Sequence, residues 1–272
     1  MDELRRLSLN QATIPSWSLP EAADGCAKAG LGWIGVWRDR LAEVGIAAAT
    51  RSIRDAGIGV SSLLRGGFFD ASESTARRRH MDGNRRAVEE AAALQAKTLV
   101  LVCGPAAGRD LEGARAYIAE AIAELRDFAA PCGVALGIEP MHPVYCADRS
   151  AVVTLRQALA LAAPHPQAEV GVVIDAYHVW WDPDLRAEVA AARGRIQGYH
   201  VCDWLVPPPD HLNGRGMMGD GVIDLRGMRR MVDEAGYDGP IEAEIFNPTV
   251  WALAGNEALD LVCRRYLEHV VA

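Results

Sequence analysis

The chain has 272 residues, half of them hydrophobic, and a formal net charge of −8. That length suits two small domains or one large α/β domain, and barrels of ~250 residues are routine. The acidic balance, with arginine far outnumbering lysine and no long basic run, argues against duplex DNA as a partner, because phosphate binding needs a cationic footprint. Small-molecule substrates are favoured instead. Six cysteines, at 26, 103, 132, 146, 202 and 263, lack the close spacing of a structural zinc site and read as reduced thiols. The N-terminal MDELRRLSLN has no signal-type apolar stretch, and nothing approaches the ~20 apolar residues of a membrane span. The expectation is a soluble cytoplasmic protein with no membrane partner.

In chain order, apolar runs alternate with amphipathic helical patterns. A strand over Leu7–Ala12 precedes a helix over Leu19–Ala29. Trp33–Trp37 precedes Asp39–Ala56, Ile58–Leu64 precedes Glu73–Gln95, and Thr98–Cys103 precedes Leu111–Ala130. Val134–Glu139 is followed by Ser150–Ala163, Val170–Asp175 by Pro183–Ala192, Ile196–Cys202 by Leu225–Ala235, and Ile241–Phe246 by Glu257–Val270. The strand runs are short and rich in Val and Ile, as strands covered on both faces require. The helical runs are Ala- and Leu-rich with one charged face. Eight such units without a linker predict a single (β/α)8 barrel spanning residues 1–272 as one domain. A doubly wound open sheet is the runner-up, but its first loop would carry a glycine-rich phosphate turn, and here that loop reads NQATIPSW.

In such a barrel the active site lies at the C-terminal strand ends. Glu139 ends the fifth strand, Asp175 ends the sixth, His200 lies in the seventh and Glu244 in the eighth. Taken singly, Asp175 suits a turn cap, either glutamate suits an arginine partner at the rim, and His200 suits a core histidine. Together, three carboxylates and an imidazole converging on an apolar core are unstable without a cation. A divalent metal resolves that conflict. The oxygen-rich set suits Mn²⁺, Mg²⁺ or Co²⁺ better than thiolate-seeking ions, with Zn²⁺ admitted.

The segments IEP (138–140), D-x-x-H (Asp175 to His178), H-V-x-D (His200 to Asp203), RGMMGDGVID (215–224) and E-I-F (244–246) resemble the xylose isomerase-like barrels, and within them the sugar isomerase and epimerase group. The resemblance covers nearly the whole chain. It implies one divalent metal held by Glu139, Asp175, His200 and Glu244, with Glu139 and Glu244 also carrying protons as catalytic residues. It implies substrate contacts from His178 and Arg215, and Asp203 is expected to orient a ligand or touch a hydroxyl. The implied substrate is a small carbohydrate or keto-sugar. Removing a proton beside its carbonyl gives an enediolate that a cation stabilises, with two carboxylates as base and acid.

Two departures bear on the reaction. Ketose 3-epimerases carry a further glutamate six residues after the first metal glutamate, and here that position is Tyr145. His142, followed by Pro143, is similar to a His-Pro of the dehydroshikimate dehydratase branch; it suits a substrate contact and, in a dehydratase, the acid that protonates a departing hydroxyl, and it suits equally a loop histidine at the rim. A metal-dependent dehydratase of an inosose-like or dehydroshikimate-like compound is therefore the alternative to an isomerase or epimerase. Endonuclease IV shares this kind of barrel but needs a multi-zinc cluster, more histidines and a basic groove. Six of the seven tryptophans (17, 37, 180, 181, 204 and 251) fall after or at strand C-terminal ends, beside Phe68, Phe69 and Phe246. They predict an aromatic-walled pocket in which Trp181 and Trp204 stack on substrate, and they suit equally the packing of loops against one another or a contact between copies of the chain in a homo-oligomer. Arg38 and Arg65 also follow strands and are placed to meet a phosphate or carboxylate, with surface salt bridges as the default for both.

Overall fold

Short runs made mostly of apolar and small residues are stable as strands only when both faces are covered. In the computed structural model, which describes residues 3–69, 74–106 and 110–271, eight of them close into a parallel barrel. They are β1 (Leu7–Asn10), β2 (Trp33–Trp37), β3 (Gly59–Gly67), β4 (Thr98–Val102), β5 (Ala135–Ile138), β6 (Val170–Asp175), β7 (Ile196–Val201) and β8 (Ile241–Ala243). Each pairs with its chain neighbours, and β8 closes on β1 through Leu7 opposite Ile241. Leu7, Leu9, Ile34, Val36, Leu99, Leu101, Val172 and Ile174 are fully buried under the helix layer. The fold class is the expected (β/α)8 barrel. None of its described helices is long and apolar enough to cross a membrane.

Local differences from the expected elements have local causes. The helix expected over Asp39–Ala56 is two helices, Arg38–Val44 and Ile46–Ala56, divided at Gly45 with φ 77° and ψ 153°, a backbone conformation that favours glycine. The first strand stops at Asn10, whose side chain accepts from Ala12 N and caps a 3₁₀ turn over Gln11–Thr13. Ser150 is fully buried in a bridge between Gly104 and the chain, and the helix begins only at Leu155, capped by Thr154. Glu73, where the third helix was expected to start, lies outside the described residues; that helix is described from Ser74 to Leu94. A short antiparallel ribbon, Asp203–Trp204 with Arg215–Gly216, stands over the barrel mouth. Sequence periodicity gives no sign of this ribbon, because two-residue strands carry no period.

Candidate metal centre

The ladder register brings Asp175, His200 and Glu242 to one level, since Asp175 pairs with His200 and His200 with Glu242. Glu244 lies two residues beyond Glu242, and Glu139 follows directly on β5, held by Glu139 N donating to Leu101 O. Glu139, Asp175, His200 and Glu244 are all buried and each offers a ligand atom within 4.8 Å of the other three. Bonds of ~2.1 Å to an octahedral ion set ligand atoms roughly 3 to 4.5 Å apart, so the spacing fits one divalent cation.

The hydrogen bonds separate what is held from what is open. Asp175 Oδ1 accepts from Tyr177 N at 2.8 Å, and Oδ2 accepts from Arg215 Nη1 at 2.9 Å. Glu244 Oε1 accepts from Asn10 Nδ2 at 3.1 Å, and Oε2 from Arg215 Nη1 at 3.0 Å. Thus Asp175 does cap a turn and Glu244 does meet an arginine, and neither contact uses all of its lone pairs. Glu139 Oε1 and His200 Nδ1, by contrast, are buried without a hydrogen-bond partner although they stand 3.2 Å apart. A buried orphan of this kind costs about 1–3 kcal/mol, and a cation between the two atoms would satisfy both. The donor set therefore fits a metal.

Burial dominates the electrostatics. It raises Glu139 to about 7 against the opposing pull of His200. Burial would raise Glu244 as well, but the Arg215 guanidinium and His200 outweigh it and hold that carboxyl at about 2. Burial lowers His178 well below the usual histidine range, and Arg215 adds to the effect. His178 is therefore neutral. Arg215 Nη2 lies 3.2 Å from His178 Nε2, and a guanidinium can only donate, so the His178 proton sits on Nδ1. That atom is buried and unpartnered.

A pocket of about 250 Å³ opens onto this cluster. Glu139, His178, Arg215 and Glu244 line it together with Trp37, Phe246, Met141 and Asn213. A roomier cleft of about 520 Å³ lies in the helix layer beside Trp17 and Lys28 and gathers only surface charges. Of the expected aromatic wall, Trp37 and Phe246 face the pocket, with ring centroids 5.7 Å apart. Trp181 and Trp204 do not line it. Trp181 Nε1 donates to His178 O, and Trp204 packs between His142 at 4.8 Å and Tyr177 at 4.7 Å. Both rings pack on His142, Trp181 edge-on at 5.8 Å and Trp204 stacked. His142 is also off the pocket lining; its Nδ1 accepts from Val144 N, and burial together with His211 lowers it to about 4. Asp203 touches no pocket space either. Its carboxylate accepts from Trp204 N, Gly219 N and Ile223 N at 2.9 to 3.0 Å, and a side chain on Gly221 would overlap it. The segment after Arg215 is wound around Asp203, which fixes Arg215 by fixing its loop. Tyr145 and Tyr177 both donate to His211 O, so the position that carries glutamate in ketose 3-epimerases here anchors the loop that supplies Asn213.

Three participants escaped the sequence. Asn10 bonds Glu242 and Glu244 and accepts from Trp37 Nε1; the signal was a polar residue closing the apolar run LSLN. Glu242 lies on the same strand face as Glu244, readable from the period-two spacing in IEAEIF. Arg149 faces the pocket from a loop and had no signal.

The fold and site are those of an eight-stranded parallel barrel with a buried carboxylate and histidine quartet at its C-terminal mouth, a candidate metal site. The sequence pattern of the xylose isomerase-like TIM barrel family matches residues 23–263, and the chain belongs to that family. A solved protein of Sinorhizobium meliloti 1021 is 44% identical, superposes with a TM-score of 0.95, and is covered over its full length by 99% of this chain. The IOLI protein, solved with a binding zinc atom, superposes at TM-score 0.86 over 97% of this chain and 98% of its own, with 21% identity, a likeness of fold. Among curated proteins, a 3-dehydroshikimate dehydratase of Pseudomonas aeruginosa is 29% identical over 85% of this chain and 37% of its own length. An inosose isomerase of Bacillus subtilis is 27% identical over 52% of this chain and 50% of its own. The matches thus span a third to a half of these curated relatives.

Proposed function

We propose that the chain is a divalent-metal-dependent isomerase or epimerase of a small keto-carbohydrate, with Glu139, Asp175, His200 and Glu244 as ligands. The observation that carries this reading is the facing pair of buried, unpartnered atoms, Glu139 Oε1 and His200 Nδ1, at the floor of an open pocket. When bound, the ion supplies Lewis-acid polarisation of a carbonyl and stabilises negative charge developing on its oxygen. Mn²⁺, Mg²⁺ and Co²⁺ suit the ligands, and Zn²⁺ is compatible with them.

The chain's own groups do the rest. Glu139 and Glu244 lie on different strands and both line the pocket, so a carbon acid held between them can lose a proton to one carboxylate and regain it from the other. His178 Nδ1–H donates to a substrate oxygen, while Arg215 holds Asp175 and Glu244 in place and stacks between Tyr177 and Phe246 at 4.7 and 4.9 Å.

The dehydratase reading draws on the Pseudomonas relative and on His142-Pro143. It asks His142 to give a proton, whereas this imidazole accepts from Val144 N, packs on Trp204 and is neutral at pH 7. The metal-loaded chain should be run in D₂O on a ketohexose, an inosose and dehydroshikimate, following deuterium at the carbon beside the carbonyl and enone absorbance. Deuterium uptake without enone is expected, with His142→Ala slowing it by less than about tenfold. Enone that disappears in His142→Ala, with a loss of about 10²–10⁴, would replace the isomerase with the dehydratase.

A further inference from the structure

The chain pairs its barrel-end cations wherever a carboxylate is in reach. Arg38, after β2, binds both oxygens of Glu90 at 2.5 and 3.2 Å, and Arg215 is shared between Asp175 and Glu244. Two arginines lining the pocket are treated differently. Among the described residues, no carboxylate lies within ion-pair distance of Arg65, although the residue is only partly exposed. Its guanidinium is held flat by aromatic faces, 4.5 Å from the Phe68 ring centroid and 5.7 Å from that of Trp37. Arg149 reaches Asp148 only at 4.0 Å, lies 5.9 Å from the Tyr145 ring, and its buried Nε has no hydrogen-bond partner.

The pocket lining thus carries three guanidiniums against two carboxylates, Glu139 and Glu244. Arg215 is balanced by the carboxylates it touches. Among the described residues, Arg65 has no carboxylate within ion-pair distance and Arg149 meets only Asp148, at 4.0 Å, and a cation added between the ligand carboxylates would neutralise the groups that now attract them. Leaving two guanidiniums in one half-closed pocket, where the charge of Arg149 acts on Arg65, is unfavourable, unless a ligand brings the countercharge.

We infer that Arg65 and Arg149 form an anion subsite, and that the substrate is a carbohydrate or cyclic polyol bearing a carboxylate or phosphate. This deepens the proposed function and rests on its pocket, but not on the presence of the ion. The planar forks of two arginines suit the paired oxygens of such a group. Trp37 and Phe246 then flank the carbon skeleton, and the anionic group fixes which carbon faces Glu139 and Glu244.

Matched ligand pairs test this by calorimetry on the Mn²⁺-loaded chain: quinate against its neutral amide, and fructose 6-phosphate against fructose. One charged partner should bind at least about tenfold tighter than its neutral match, as charge-assisted bonds to arginine imply; which pair shows the preference tells carboxylate from phosphate. Arg65→Gln and Arg149→Gln should each reduce that preference and together bring it below about twofold, with metal content by elemental analysis unchanged. If the double variant does not fold, the single variants carry the test through their separate losses. Equal binding of charged and neutral partners, no measurable binding of either charged ligand, or a preference that survives both substitutions would overturn the subsite. Absence of bound metal with the charge preference intact would instead overturn the metal-dependent reading and leave the subsite standing.

Discussion

Glu242 and Glu244 lie two residues apart on one strand, face the same interior, and are both buried, yet their surroundings differ. Around Glu242 the protein supplies every partner. Asn10 donates to Oε1 at 2.6 Å, Ser61 to Oε2 at 2.6 Å and Ser62 to Oε2 at 2.8 Å, and Ser8 bonds Ser61 in turn. Gly35 makes the room, since any side chain there would overlap the carboxylate. One layer up, around Glu244, Glu139 Oε1, His178 Nδ1 and His200 Nδ1 are left unpartnered. A buried carboxylate surrounded by the chain's own donors stiffens the barrel. One placed among atoms left without partners is arranged for something the chain does not contain.

The sharpest way to break this comparison is to exchange the expected effects of the two layers. Glu244→Gln and Glu139→Gln should each weaken Mn²⁺ binding by at least about 100-fold, a loss at least as large as that from removing an outer partner of a ligand. Without metal, the melting temperature should stay level or rise for Glu139→Gln, whose carboxyl burial raises to about 7, and fall for Glu244→Gln, which takes a charged partner from Arg215. Metal titration followed by thermal shift checks this; in the unaltered chain, Mn²⁺ at about 100 times its Kd should add ~2.7 kcal/mol. A substitution that leaves that metal-dependent rise intact would remove its residue from the ligand set.

Glu242→Leu should do the opposite. It strands Asn10, Ser61 and Ser62 and should cost about 3 kcal/mol, or ~6–12 °C in Tm, with the metal-dependent rise still present in whatever fraction folds. A smaller effect belongs to the loop anchors. Asp203→Asn loses acceptor strength toward three backbone N–H groups and should destabilise by about 1–2 kcal/mol, with the Arg215 loop exchanging amide hydrogens faster while the β-strands do not.

The smallest expected effect is the pH response of His142. Its folded value of about 4 lies below the unfolded value near 6.5, so the unfolded chain takes up the proton first. Stability is complete above ~6.5 and declines as pH falls toward ~4. The ring is half exposed, which screens the effect. The Tm advantage of the unaltered chain over His142→Gln should shrink over that window, and an advantage constant with pH would mean that the ring titrates normally.

What the sequence determined by itself was the architecture and the charged residues that interrupt it. Val170–Asp175 ends on a carboxylate and IEAEIF carries glutamates at even spacing, and covalent order alone places such residues at strand ends. Element boundaries slipped where a side chain capped the backbone, as at Asn10, and where glycine divided a helix, as at Gly45. The tertiary structure decided which charges are balanced, because that depends on separations across the barrel. Arg38 and Arg65 look alike in sequence; one finds Glu90 on a distant helix, and the other, among the described residues, meets aromatic rings and the pocket. It also decided that Asp203, Trp181 and Trp204 support the loop while Trp37 and Phe246 face the pocket. Those roles follow from how the ribbon at the mouth folds back, a path set by packing and by three backbone N–H groups on one carboxylate, for which a linear chain carries no period and no spacing.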